Sequence, residues 1–416
     1  MPFGISRLTL RSMSYPACHY GRSIAHTTTC IKHSSTLWTS KRLSSISQKP
    51  STLEPLRILF CGSDEFSIRS LEALHQYSQS EGSHVCSIDV ATKTDKRTGR
   101  GLRTISAPPI KGVAQRLSLP LHQFDTFKGW NPPSSNSGRS YINMVVAVSF
   151  GLLVPPRILN ACRFGGLNVH PSMLPDLKGS APVEHAIIHG YTTTGVTVQT
   201  LHPSKFDEGQ VVLQTTYPGI QIPNPEQITA AELKSVLAPV GAEMLVQAIR
   251  DGLYLQPQES SVSESVNFAP KLSPESRHVD FRAMKAVHIL RLNRAMGRLW
   301  VNITDPESEA RDVRLTFGSV MRLAGPQDLG NIYQDIVNQV EIGLPFACIE
   351  ISENIMGSAA PLLVKTADQS ILCIAEMTVA GMKAGQSASQ AAKAKFFSEA
   401  SVHGDRKVYQ FKVPPR

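Results

Sequence analysis

Residues 141–148 read Tyr-Ile-Asn-Met-Val-Val-Ala-Val, a nearly continuous apolar and β-branched run. A strand of that composition is covered on both faces, as happens in a parallel sheet flanked by helices. Leu56-Arg-Ile-Leu-Phe-Cys-Gly62 has the same character and ends at a glycine. Ser63, Asp64 and Glu65 then offer capping and first-turn residues to a helix reaching about Tyr77. Further strands are predicted over 85–92 and 166–170, a strand pair over 195–201 and 209–217, and a long helix over 230–251. Together these predict an α/β domain with a parallel-rich, doubly wound sheet over residues 55–255. Only one glycine stands in Cys61-Gly62-Ser63-Asp64, where a dinucleotide loop has three, which argues against a nicotinamide or flavin enzyme.

Residues 256–267 are polar and Ser-rich and read as a linker. Beyond them, over 268–416, a helical segment at 281–296 precedes short β-like runs at 300–303, 313–317, 346–351, 362–366 and 370–377. Short strands at that spacing predict a second, smaller β-barrel or sandwich.

The 416 residues carry a formal charge of +9, which suggests an acidic partner only if the charge lies on the folded part. Residues 1–50 hold seven Lys and Arg, no Asp or Glu and ten Ser, so they account for seven of the nine charges. An Arg-bearing, acid-free, Ser-rich start without an apolar h-region is the pattern of an organellar transit peptide, with a disordered basic tail as the alternative. No apolar run approaches the roughly 20 residues of a spanning helix. The seven cysteines contain no CxxC pair and fit neither a disulfide scaffold nor a zinc ribbon, which favours a reducing compartment.

The densest group of chemically useful side chains is Leu167-Asn-Val-His-Pro-Ser-Met-Leu-Pro175. Alternate residues of a strand share a face, so Asn168 and His170 point together while Val169 enters the core. At the carboxyl end of a strand they lie where open α/β sheets bind ligands. An amide donor beside an imidazole suits acyl transfer: one can stabilise an oxyanion, the other can move a proton or carry charge. Asp207, in Phe206-Asp-Glu-Gly209 on a predicted inter-strand loop, is the expected third member, although Asp-Glu-Gly is also a common turn. His185 and His189 stand one helical turn apart but lack the Glu of H-E-x-x-H, so no metal site is expected there.

These segments, with Gly179-Ser-Ala-Pro-Val183, Thr194-Gly-Val-Thr-Val198 and Asp207-x-Gly209, resemble the formyltransferases that use 10-formyltetrahydrofolate. The resemblance extends to Ile58-Leu-Phe-Cys-Gly-Ser-Asp-Glu-Phe66, Ala107-Pro-Pro-Ile-Lys111, Phe268-Ala-Pro-Lys-Leu272 and Val379-Ala-Gly-Met-Lys-Ala-Gly385, and so to nearly everything after residue 55. These further segments resemble those of the members that formylate methionyl initiator tRNA. It implies a Rossmann-like formyltransferase domain and a C-terminal barrel resembling an OB-fold. It implies catalysis by Asn168, His170 and Asp207, and folate contacts from Ser172, Met173, Leu174 and Pro175. It also implies a 10-formyltetrahydrofolate cosubstrate without metal, a methionyl initiator tRNA partner without membrane, a monomer, and a place in the mitochondrial matrix. Two alternatives remain: a hydrolase or a transferase to another amine, and an inactive RNA-binding relative.

Where that family has two arginines flanking an aromatic, this chain has Pro175-Asp-Leu-Lys-Gly179, an exchange expected to weaken phosphate attraction. Lys93, Lys96, Arg97, Arg100 and Arg103 crowd a Gly-containing segment that the resemblance places against the acceptor arm of the RNA; a solvated loop is the competing reading. Residues 271–298 and 383–416 each carry +5 while 299–382 carry −7. Arg291, Arg294 and Arg298, spaced along one predicted helical face, are further RNA candidates, with a plain solvent face as the alternative.

Overall fold

The computed structural model describes residues 53–133, 141–258, 266–305, 308–318, 321–330, 333–353, 355, 360–393 and 395–412. The expected transit peptide, residues 1–50, lies outside the described residues.

The first part carries strands β1 (Leu56–Gly62), β2 (Val85–Thr92), β3 (Lys96–Thr98), β4 (Thr104–Ser106), β5 (Leu121–Gln123), β6 (Met144–Val148), β7 (Gly166–His170), β8 (Thr193–Thr194), β9 (Thr197–Thr200), β10 (Val211–Gln214) and β11 (Ile220–Gln221). Its helices are α1 (Glu65–Ser78), α2 (Pro109–Arg116), α3 (Pro156–Leu159), α4 (Pro182–His189) and α5 (Ala230–Arg250). Seven strands form one sheet in the order β10-β9-β7-β6-β1-β2-β5. The five from β7 to β5 run parallel, and β9 and β10 add an antiparallel edge.

The two-sided burial predicted for the 141–148 run is realised over β6, every residue of which is buried, while Tyr141 is exposed. Met144, Val146 and Val148 face one core with Ile58 and Phe60 of β1, against α1 and α5. Val145 and Ala147 face the other with Leu59, Cys61 and Phe150. Sealed in this way, the Cys61 thiol is pushed far above its ordinary range by burial. The Asp64 carboxylate accepts the Ser67 N–H at 3.1 Å to begin α1, and Thr229 and Glu232 form a reciprocal capping box at the start of α5.

The second part contains α6 (Ala286–Met296), β12 (Leu299–Asp305), β13 (Ser308–Phe317), β14 (Met321–Leu323), α7 (Pro326–Leu329), α8 (Tyr333–Gln339), β15 (Pro345–Glu350), β16 (Leu362–Lys365), β17 (Ile371–Ile374), β18 (Met377–Val379), α9 (Ala388–Lys393), β19 (Phe397–His403) and β20 (Arg406–Phe411). Its strands make two antiparallel sheets, β12-β13-β18 and β14-β17-β16-β15-β20-β19. Leu299, Leu315 and Phe317 of the first sheet and Ala347, Val364 and Leu372 of the second share one core with Ile289 of α6. The chain passes between the two sheets three times, from β13 to β14, from β17 to β18 and from β18 to β19. Phe346, Leu363 and Ile371 of the second sheet form a further core with Ile336 of α8. Antiparallel strands were expected for this part, and the sequence had shown five of the nine among the described residues.

The linker predicted over 256–267 is held at both described ends. Gln258 pairs with Val211 in an antiparallel bridge, and Phe268 pairs with Lys178 in a parallel one; residues 259–265 lie outside the described residues.

Candidate active site

Strand β7 contributes Leu167 and Val169 to the core against α1 and α5. By the two-residue repeat Asn168 and His170 face the opposite side, where a cavity of about 630 Å³ opens at the carboxyl ends of β6 and β7. Asn168, His170 and Asp207 line it together, with Phe150, Leu152, Leu201 and Phe206 as its apolar wall.

Asp207 is the hub of the site. Its Oδ1 accepts Asn168 Nδ2 at 3.1 Å and Gln199 Nε2 at 3.0 Å, and its Oδ2 accepts the Gly179 N–H at 3.0 Å. His170 Nδ1 lies 3.4 Å from the same Oδ1, with both side chains almost completely buried. His170 Nε2 lies 3.0 Å from the Leu177 carbonyl oxygen, which can only accept. Both ring nitrogens thus face oxygen atoms. Asp207 takes a left-handed backbone at φ +54°, a conformation uncommon outside glycine but one that aspartate tolerates.

Gln199 is a member that sequence reasoning missed. It lies on β9 with 1% of its surface exposed, donates to Asp207, and keeps a buried Oε1 with no partner. The only signal available in the sequence was a glutamine inside the strand predicted over 195–201.

Ser172, Met173, Leu174 and Pro175 lie behind this cavity rather than along it: its lining stops at Pro171 and resumes at Gly179. The Ser172 hydroxyl donates to the Asp176 carbonyl at 2.6 Å. Met173 packs over Gly195 and Gly219, and Leu174 N–H donates to Thr197 Oγ1 at 3.1 Å. Ser172 and Met173 border a separate pocket of about 330 Å³.

A groove of about 840 Å³ adjoins the cavity, sharing Gly151, Ser180, Glu184 and Lys271 with it. Lys93, Lys271, Arg277, Arg298 and Arg314 line it, from both parts of the chain. Glu184, its one carboxylate among the described residues, is paired with Lys234 at 2.6 Å. The Arg314 guanidinium stacks 3.8 Å above the Trp300 ring.

The other basic candidates are dispersed. The segment read as a basic loop is a hairpin of β3 and β4, with Arg97 and Arg103 exposed beside Leu102 and Ile105; the side chain of Arg100 lies outside the described residues. Lys96 is paired with Asp125 at 2.5 Å. Arg291, Arg294 and Arg298 do not share a helical face, because α6 ends at Met296 and Arg298 follows Gly297. Arg291 and Arg294 instead approach Glu226 at 3.6 and 3.9 Å, and burial lowers the Arg294 pKa. They join the two parts of the chain, and of the three only Arg298 lines the groove. His185 is half-buried and its Nε2–H donates to the Pro270 carbonyl at 3.1 Å; burial pulls its pKa down.

A family model described as Formyl transferase matches residues 56–249, which include every strand of the large sheet and the whole Asn168, His170 and Asp207 group. The mitochondrial methionyl-tRNA formyltransferase of Saccharomyces cerevisiae is 34% identical over 296 residues, covering 63% of this chain and 73% of the yeast protein. The mitochondrial methionyl-tRNA formyltransferase of Homo sapiens is 32% identical over 264 residues, covering 63% of this chain and 61% of the human protein, so the match spans less than two-thirds of the latter. Among solved structures, an N-formyltransferase from Helicobacter canadensis in complex with folinic acid and dTDP-3-aminofucose aligns with TM-score 0.47 and 13% identity over 77% of this chain and 98% of that one. Phosphoribosylglycinamide formyltransferase from Bacillus halodurans aligns with TM-score 0.36 and 22% identity over 47% and 95%. The yeast match, at that identity over nearly three-quarters of the relative's length, places this chain in the methionyl-tRNA formyltransferase family.

Proposed function

We propose that this chain transfers the formyl group of 10-formyltetrahydrofolate to the α-amine of methionyl initiator tRNA. The observation that carries this reading is the junction of an acyl-transfer site with a basic groove: the Asn168, His170 and Asp207 cavity opens into a channel lined by five cations. The apolar wall of Phe150, Leu152, Leu201 and Phe206 suits the flat ring of the folate, and the groove suits the phosphates of an acceptor end. The 172–175 loop then supports the donor site from behind.

In the reaction the neutral amine attacks the formyl carbon and negative charge develops on the formyl oxygen; collapse then breaks the bond between the formyl carbon and the folate nitrogen, and the proton given up by the amine passes to that nitrogen as tetrahydrofolate leaves. Asn168 spends one amide hydrogen on Asp207 and retains a second for that oxygen. His170 supplies an imidazole in the same cavity for proton transfer, and Asp207 fixes the directions of both side chains.

The catalytic domain would span 55–255, and 268–416 would form an OB-like domain that binds tRNA with Lys93, Arg97 and Arg100 of the first part. Residues 1–50 would direct a monomer to the mitochondrial matrix. The test supplies the purified chain with charged initiator tRNA and formyl-labelled 10-formyltetrahydrofolate. Label on methionyl-tRNA is the expected result; formate release alone would make the chain a hydrolase, and RNA binding without turnover an inactive relative.

A further inference from the structure

The segment in which this chain departs from the family pattern, Asp176-Leu-Lys-Gly179, is gripped from two sides. On the inner side its backbone meets the catalytic pair: the Leu177 carbonyl faces His170 Nε2, and the Gly179 N–H donates to Asp207. Lys178 also pairs at 3.0 Å with Glu208, the neighbour of Asp207. On the outer side the same residues pair with the chain leading into the second part. Leu177 N–H donates to the Asn267 carbonyl at 2.7 Å, Ala269 N–H to the Lys178 carbonyl at 2.7 Å, and Ala181 N–H to the Ala269 carbonyl at 3.2 Å. A Cβ at Gly179 would collide with the Ala269 carbonyl, so the two backbones approach as closely as they can.

Asp176 closes the corner of this arrangement. Its Oδ1 accepts the Asn267 backbone N–H at 2.9 Å and its Oδ2 accepts the Tyr191 hydroxyl at 2.9 Å. Asn267 Nδ2 donates to that hydroxyl at 2.7 Å, completing a triangle. Burial, and then the bond to Asp176, raise the Tyr191 phenol above its ordinary range, so the hydroxyl keeps its proton. Leu177, next in the chain, is buried at φ +57°, a left-handed conformation that a leucine holds only when its surroundings impose it.

We propose that Asp176, Tyr191 and Asn267 are positioning residues for the catalytic pair, holding the Leu177 to Gly179 backbone in the place where His170 and Asp207 dock. The kinetic part of the test rests on the transferase reading above. A short acceptor is required at position 176, because it must satisfy two donors at once. An arginine there, as in the family pattern, presents five donors and no acceptor. The substitution expected to weaken RNA attraction therefore performs a different task in this chain.

The test uses the full chain. Asp176→Ala is expected to lower kcat by about tenfold or more while the KM values for 10-formyltetrahydrofolate and methionyl-tRNA stay within about twofold, as for a lost alignment rather than a lost contact. Asp176→Asn keeps one acceptor oxygen for Asn267 and is expected to restore kcat to within about threefold of the parent. Unchanged kcat in Asp176→Ala, a loss confined to KM, or no recovery in Asp176→Asn overturns the proposal. If Asp176→Ala does not fold, Tyr191→Phe, which removes only the hydroxyl, replaces it, with a kcat loss of about threefold expected. A second readout is independent of the acceptor substrate: the ring nitrogen signals of His170 in ¹⁵N-histidine-labelled protein, identified by their loss in His170→Gln. They should move in Asp176→Ala or Tyr191→Phe and stay near the parent position in Asp176→Asn. Unmoved signals overturn the proposal. A parent chain that transfers no formyl to methionyl-tRNA overturns the functional reading instead, and the ring signals then decide the positioning role alone.

Discussion

Gly209 lies so close to the carbonyl oxygen of Thr200 that a Cβ there would fall inside the oxygen's van der Waals surface. The contact closes the loop between β9 and β10, with Gln210 N–H donating to Thr200 Oγ1 at 2.9 Å and Thr200 N–H to the Gln210 carbonyl at 2.8 Å. Asp207, two residues earlier, takes its position from this closure. Gly209→Ala is expected to cost about 1–3 kcal/mol of stability by overpacking against a rigid backbone. It is also expected to lower kcat more than that loss explains, because Asp207 must shift. Urea unfolding and the formyl-transfer assay check the two parts separately.

Asn168→Ala removes the amide expected to donate to the developing oxyanion. Turnover should fall by about a hundredfold or more, the scale for losing one such donor. His170→Ala should lower turnover by about two orders of magnitude. Near-parental kcat in either variant, measured with both substrates saturating, would remove that residue from the chemistry.

Gln199→Leu keeps the approximate volume of the side chain and deletes one of the three donors that hold the Asp207 carboxylate. A hydrogen bond to a charged group is worth about 1.5–3 kcal/mol, so kcat should drop roughly tenfold or more. The fold should survive, because the replacement is apolar and its site is buried. Single-turnover kinetics and thermal unfolding of the same sample test this.

Lys93→Glu and Arg298→Glu reverse charge on two walls of the groove. Each is expected to raise the KM for tRNA severalfold and to reduce the slope of log affinity against log salt by about one. The KM for 10-formyltetrahydrofolate should stay within about twofold in both. A matching rise in the folate KM would show that the groove does not serve the RNA.

The sheet and its site were legible to different depths. Residues 56–62 and 141–148 are apolar on both faces, which leaves few arrangements besides a covered parallel sheet, and β1 and β6 stand at its centre. Asn168 and His170 followed from the two-residue repeat of a strand. Asp207 was found from its turn, but two of its three donors were not, because Gln199 and Gly179 reach it only through the fold. Spacing places arginines on a helix without saying what packs against them, and thus Arg291 and Arg294 read as an RNA face when they bind Glu226. The last strands, β19 and β20, mix charged and apolar residues and gave no run to recognise. The linker was visible as composition; its pairing with the catalytic loop was not, since backbone hydrogen bonds leave no trace in side-chain identity.

That pairing has a mechanical consequence. Residues 267–269 are stitched to 177–181 and the second part is fastened again through Arg291 and Arg294, so the groove is bounded by walls fixed at two points. Such a groove is expected to work as a gauge rather than as a jaw. Whatever enters it is sorted by fit to a preset width, and association should run as one rigid docking step, fast and salt-sensitive, with no slower closing phase behind it.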